Sequence, residues 1–131
     1  METTILTGRL VTGLGAAVAF TRIDWARRQF FDKLGIDPYP GTVNLMVEDR
    51  DELAKWQAVK AAPGITLVSP RKDWCNARCY PARFGDRIAA AIVLPEIADY
   101  PAAKVELIAA VGVRDTLGLR DGDPVTIEID P

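Results

Sequence analysis

The chain has 131 residues, 49% of them hydrophobic and 26% charged, with a formal net charge of −2. That composition suits one soluble globular domain spanning residues 1–131, and it excludes a chain held on nucleic acid by an overall basic field. Histidine is absent, which removes the commonest general base, the Ser-His and Cys-His nucleophile pairs and every histidine-dependent metal site.

The first residues, Met1-Glu2-Thr3-Thr4, lack the basic start and apolar core of a signal peptide. The longest apolar runs, such as 88–94, are far too short to span a bilayer as helix. A cytoplasmic protein with no membrane partner is therefore expected. Residues 6–11 read as a first strand. Gly13-Leu14-Gly15-Ala16-Ala17 follows, a small-residue stretch that lets backbone N–H groups approach a ligand closely. It lacks the third glycine and the helix opening of a dinucleotide fingerprint, so taken alone it reads as a loop between strands.

Residues 24–34 have helical spacing, with Ala26, Phe30, Lys33 and Leu34 recurring at three and four. Asp24 is placed to cap the start and Gly35 the end. A stiff linker, 36–41, ends in Pro40-Gly41 and releases the chain into a strand, Thr42-Val43-Asn44-Leu45-Met46-Val47. Side chains alternate there with period two, so Val43, Leu45 and Val47 share one face and Thr42, Asn44 and Met46 the other. A hydroxyl and a carboxamide just after a tight turn are neutral oxygen donors that suit a hard cation such as Mg²⁺. The competing reading is that Thr42 caps the turn and Asn44 satisfies nearby backbone groups. Residues 49–60 form a second helical candidate, with Leu53, Trp56 and Val59 or Lys60 inward, ended by Ala61-Ala62-Pro63-Gly64.

From Ile65 the chain is strand-like: 65–68, 76–84, a turn at Gly85-Asp86, 87–94, a loop over 95–101, then 105–110 with Glu106 inside it. Pro81 weakens the reading of 76–84 as an interior strand. One helical turn over 114–117, a turn over 119–123 and a closing strand over 124–129 complete the chain. Cys75 and Cys79 lie about 13 Å apart if that segment is extended, too far to bridge, and read as plain thiols. Many short strands with one or two inserted helices predict a mainly β protein built as a small barrel rather than an alternating βαβ fold.

Taken together, Gly13-Leu14-Gly15, Pro40-Gly41-Thr42-Val43-Asn44-Leu45, Ala91-Ile92-Val93-Leu94-Pro95, Val105-Glu106-Leu107-Ile108-Ala109, Arg114 and Leu117-Gly118-Leu119-Arg120-Asp121-Gly122-Asp123-Pro124-Val125 resemble the archaeal CTP-dependent riboflavin kinase family in order and spacing. The resemblance implies a six-stranded cradle-loop β-barrel. It also implies phosphoryl transfer from CTP to riboflavin, giving CDP and FMN. Position by position, Thr42 and Asn44 match the family's Mg²⁺ ligands. Gly13, Leu14, Gly15, Ala16, Ala17 and Val18 match the nucleotide loop. Val111, Gly112, Val113 and Arg114 match a second nucleotide segment. Ala98 and Glu106 match flavin-contacting positions.

On this reading Arg114 supplies positive charge to the phosphates, and Glu106 orients the flavin or accepts its hydroxyl proton. Three departures stand out. Ala16, Ala17 and Val18 replace an acidic residue, a glycine and a basic residue, Ala98 replaces a threonine and Ala110 a proline. The first two strip polar groups from both ligand sites. The alternatives are a nucleotide- or flavin-binding barrel without turnover, or a kinase acting on another small alcohol.

Overall fold

The computed structural model describes residues 2–12 and 17–131. The strands are β1 (Thr4–Val11), β2 (Val43–Met46), β3 (Ile65–Leu67), β4 (Ala77–Phe84), β5 (Ile88–Pro95), β6 (Lys104–Ala109) and β7 (Pro124–Ile129). The α-helices are α1 (Asp24–Leu34), α2 (Arg50–Lys60) and the short α3 (Val113–Leu117), and a 3₁₀ turn spans Val18–Arg22. Every pairing is antiparallel, in the order β4-β5-β6-β2-β1-β7, and a β4–β7 pairing closes that ring of six. β3 adds a seventh strand on the edge of β4. This is the mainly β, six-stranded barrel expected from the sequence. Closure leaves the ring without a bare edge.

Period-two alternation sorts each wall strand into an inward and an outward set. Leu45, Tyr80, Ile92, Leu107 and Ile127 fill the barrel, with Trp56 and Val59 of α2 packed into the same cluster. Cys79, Ala91, Val93 and Ile108 point outward, and Ala26 and Phe30 of α1 cover them. β5 is therefore apolar on both faces, and nearly all of it is buried. Among the described residues no helix is long and apolar enough to cross a membrane.

Local signals account for most boundaries. Asp49 caps α2, its carboxylate accepting from the Asp51 and Glu52 amides at 3.0 and 3.1 Å. Gly35 ends α1 in the left-handed region at φ 70°. Three expectations need correcting. Asp24 is the first residue of α1 rather than its cap; Ile23 holds that position without a side-chain bond, so Asp24 acts through its charge in the first turn. The first strand begins at Thr4, because β7 pairs with it as far as Thr4↔Ile129. Pro81 does lie inside a paired strand. β3 partners β4 only as far as Cys79 and β7 only from Ala82. Pro81 sits in the gap between them, its carbonyl accepting from the Asp130 amide at 2.8 Å, so its missing N–H costs no ladder bond.

Candidate functional site

Burying a polar group is unfavourable unless it finds a partner, so buried polar side chains mark places where chemistry outweighs packing. Among the described residues these are Thr21, Asn44 and Glu106. All three converge on the turn and strand at 41–44. Register explains two of them: β2 and β6 pair so that Asn44 stands opposite Glu106. The neighbouring Leu45 and Leu107 face the barrel interior, so Asn44 and Glu106 share the outer face. The segment around Ala17 lies over that face. Thr21 fixes the turn from the other side. Its hydroxyl donates to the Val18 carbonyl at 2.7 Å and accepts from the Gly41 amide at 3.1 Å. Gly41 itself has φ 102°, which only glycine adopts without strain.

Glu106 has no exposed surface, and both its oxygens are occupied. Tyr100 Oη donates to Oε1 at 2.7 Å, with Lys104 Nζ 3.6 Å from the same oxygen. The Ala17 amide donates to Oε2 at 3.0 Å and the Thr42 hydroxyl to the same atom at 3.3 Å. Burial first, and then the bond to Glu106, pushes the Tyr100 phenol far above its usual range, so it remains a donor. Asn44 Nδ2 lies 3.4 Å from both the carbonyl and the hydroxyl oxygen of Thr42. Asn44 Oδ1 is buried without a hydrogen-bond partner among the described residues.

Thr42 connects this cluster to a cavity of about 280 Å³ lined by the 39–43 turn, Leu107, Ala109 and the 111–115 segment. Thr42, expected to hold the metal, and Val111 to Arg114, expected to contact the nucleotide, thus line one cavity. Tyr39 and Val111 stand exposed at it. Arg114 is committed elsewhere: Nη2 lies 2.6 Å from Asp121 Oδ1 and donates to Thr12 Oγ1 at 3.0 Å. The Thr12 hydroxyl and Arg114 together hold the Asp121 carboxyl below its ordinary range. Arg114 lines the cavity while paired with Asp121, a partly exposed ion pair. Val18 opens the 3₁₀ turn and Ala17 is fully buried. Gly13, Leu14, Gly15 and Ala16 lie outside the described residues.

Ala98 is exposed in the loop between β5 and β6, and Tyr100, two residues on, bonds Glu106. A second cavity, of about 400 Å³, borders this loop and is lined by Lys60, Arg78, 94–97 and Tyr100. Sequence reasoning missed Thr21, Tyr100, Lys104 and Asp121. Tyr100 and Lys104 flank Glu106 at the loop end and strand start, where a buried carboxylate needs its donors. Among the described residues no cluster of three His, Cys, Asp or Glu side chains forms. The neutral oxygens of Thr42 and Asn44 are of the kind that suit a hard cation such as Mg²⁺, and Asn44 Oδ1, without a hydrogen-bond partner among the described residues, has an open lone pair.

The profile of the CTP-dependent riboflavin kinase family, described as domain of unknown function DUF120, matches residues 10–129. The chain is 37% identical over 126 residues to a protein named riboflavin kinase from Methanocella arvoryzae, covering 96% of this chain and 57% of that one. A riboflavin kinase from Pyrobaculum calidifontis is 37% identical over 127 residues, 95% of this chain and 59% of its own length. One from Saccharolobus solfataricus is 31% identical over 125 residues, covering 93% and 71%. The chain thus spans less than two thirds of the length of the first two relatives.

Proposed function

Because the chain belongs to the CTP-dependent riboflavin kinase family, we propose that it transfers the terminal phosphoryl group of CTP to riboflavin, giving FMN and CDP. The observation that carries this reading is the convergence of the buried polar side chains Thr21, Asn44 and Glu106 on one turn and strand, beside a cavity that Thr42 shares with the 111–115 segment. Phosphoryl transfer depends on positioning and charge stabilisation more than on covalent catalysis, so a histidine-free site is adequate.

Thr42 Oγ1 and Asn44 Oδ1 are the groups that would hold Mg²⁺. When bound, the ion neutralises phosphate charge. The cavity takes the nucleotide, with Tyr39 and Val111 at its mouth and Gly112 free of a side chain against the Tyr39 ring, which a Cβ there would approach to 3.4 Å. Arg114 contributes hydrogen-bond geometry more than free charge, given its pairing with Asp121. Glu106, buried with both oxygens taken, would act on the acceptor only through a partner such as Tyr100. Incubating the purified protein with riboflavin, Mg²⁺ and either CTP or ATP, and separating the flavins, tests the reading. FMN formed with CTP is expected; none with either nucleotide overturns it.

A second reading, a barrel that binds flavin or nucleotide without turnover, draws on the pairing of Arg114 with Asp121 and on Ala17 and Val18, which bring no cation to the phosphates. Binding of both ligands with no FMN formed would select it.

A further inference from the structure

The relation between Glu106 and the Thr42–Asn44 pair goes beyond a flavin contact. Each partner that the carboxylate makes is a donor: Tyr100 O–H, Lys104 Nζ, the Ala17 amide and the Thr42 hydroxyl. Only an acceptor-only side chain satisfies such a set. A hydroxyl has one proton and two lone pairs. Thr42 gives its proton to Glu106 Oε2 at 3.3 Å, so its lone pairs face away from the carboxylate. Asn44 directs its amide protons at the Thr42 carbonyl and hydroxyl oxygens at 3.4 Å. Its own Oδ1 is buried and has no hydrogen-bond partner among the described residues. The donors are consumed within the cluster, and what remains available is lone pairs on Thr42 Oγ1 and Asn44 Oδ1.

We propose that Glu106 is a positioning residue for the cation pair, fixing through the Thr42 hydroxyl the direction in which both neutral oxygens are presented. This rests on the reading of Thr42 and Asn44 as the Mg²⁺ ligands. Partners behind a metal ligand fix its orientation and strengthen its donor atom, and their loss typically weakens metal binding about 10- to 100-fold. Cross-strand pairing supplies the rigidity, since Asn44 and Glu106 are held opposite each other by the β2–β6 ladder. Glu106 thus bonds Tyr100 through one oxygen and Thr42 through the other.

Mn²⁺ titrations followed by electron paramagnetic resonance, at fixed CDP and corrected for Mn²⁺–CDP formed without protein, test this directly. Wild type, Glu106→Gln, Thr42→Val and the double variant are compared, with unfolding curves checking that each is folded. Glu106→Gln is expected to weaken Mn²⁺ about tenfold. Thr42→Val is expected to weaken it at least as much, and the double variant no more than Thr42→Val alone. That non-additivity shows Glu106 acting through Thr42 rather than as a distant charge. Wild-type affinity in Glu106→Gln, or losses that add in the double variant, overturns the inference while leaving the metal pair standing. Wild type holding no more Mn²⁺ than Asn44→Ala removes the metal pair and this inference with it. Should Glu106→Gln not fold, Glu106→Asp keeps the charge and withdraws the oxygen from Thr42. The same tenfold loss is expected there, and unchanged affinity overturns the inference.

Discussion

The outer wall of this barrel is buried in two different ways. Over β4 and β5 it is Cys79, Ala91 and Val93 beneath α1, an apolar surface against an apolar helix. Over β2 and β6 it is Asn44 and Glu106 beneath the segment at Ala17, and here a carboxylate is buried with four donors around it. The first arrangement is stabilised by area removed from water. The second is costly unless each partner is in place, and one of its oxygens, Asn44 Oδ1, has none among the described residues. A wall that needed only to be covered would be apolar throughout. On the proposed function, the β2–β6 face is the one that serves ligands and the β4–β5 face is scaffold.

If that division is right, substitutions on the two faces separate stability from function. The largest effect belongs to the scaffold. Phe30→Ala removes a fully buried ring from under α1 and should cost about 3–5 kcal/mol of unfolding free energy. FMN formation per folded molecule should stay near wild type. Denaturant unfolding read beside turnover decides it, and a selective loss of turnover would erase the contrast.

Thr42→Ala comes next and does the reverse. It deletes a half-buried hydroxyl that touches both Glu106 and the cavity. Turnover should fall on the order of 100-fold, with an unfolding midpoint within a few degrees of wild type. A variant as active as wild type would move the functional face elsewhere.

Val18→Arg sharpens the comparison from the other direction, by adding charge beside the ligand face. With Arg114 already paired to Asp121, a new cation should tighten CTP by roughly tenfold, worth about 1–2 kcal/mol. The gain should shrink as salt rises. Affinity unchanged at low salt would mean that the phosphates lie away from the 3₁₀ turn.

The smallest effect is a pH dependence in the scaffold. Burial pushes the Cys79 thiol up to about 12. Its ordinary value is about 8.5, so the unfolded chain loses this proton first as pH rises. The stability it contributes is complete below about pH 8.5 and declines as pH climbs toward the folded value. Cys75, half-buried and also free, should react with a thiol reagent at pH 8 while Cys79 stays protected until the chain unfolds. Equal labelling of both in the native state would show the β4–β5 wall to be open.

How much of this was legible in the sequence follows the same division. α1, Asp24–Leu34, and β7, Pro124–Ile129, match the expected bounds, because periodicity, Gly35 and Pro124 are local signals. The inward set Val43, Leu45 and Val47 was readable from alternation alone and packs with the barrel core. What alternation does not reveal is which strand lies opposite. The Asn44↔Glu106 pairing is a property of the β2–β6 register, and joins residues far apart in the chain. Thr21 and Tyr100 escaped for the same reason: their partners, Gly41 and Glu106, are met only after the barrel closes. Pro81 misled because its rule concerns a strand with neighbours along its whole length, and β4 has a gap there. The 3₁₀ turn at Val18–Arg22 is too short to show periodicity.

The claim at the centre of this account is that the outer face of β2 and β6 presents oxygens to a cation that holds a nucleotide. Calorimetric titration of CDP into wild type and Asn44→Ala, at several Mg²⁺ concentrations, addresses it most directly. CDP affinity should rise with Mg²⁺ in wild type and be flat and weak in Asn44→Ala, both proteins having closely similar unfolding midpoints. Equal affinities in the two proteins at every Mg²⁺ concentration would contradict it.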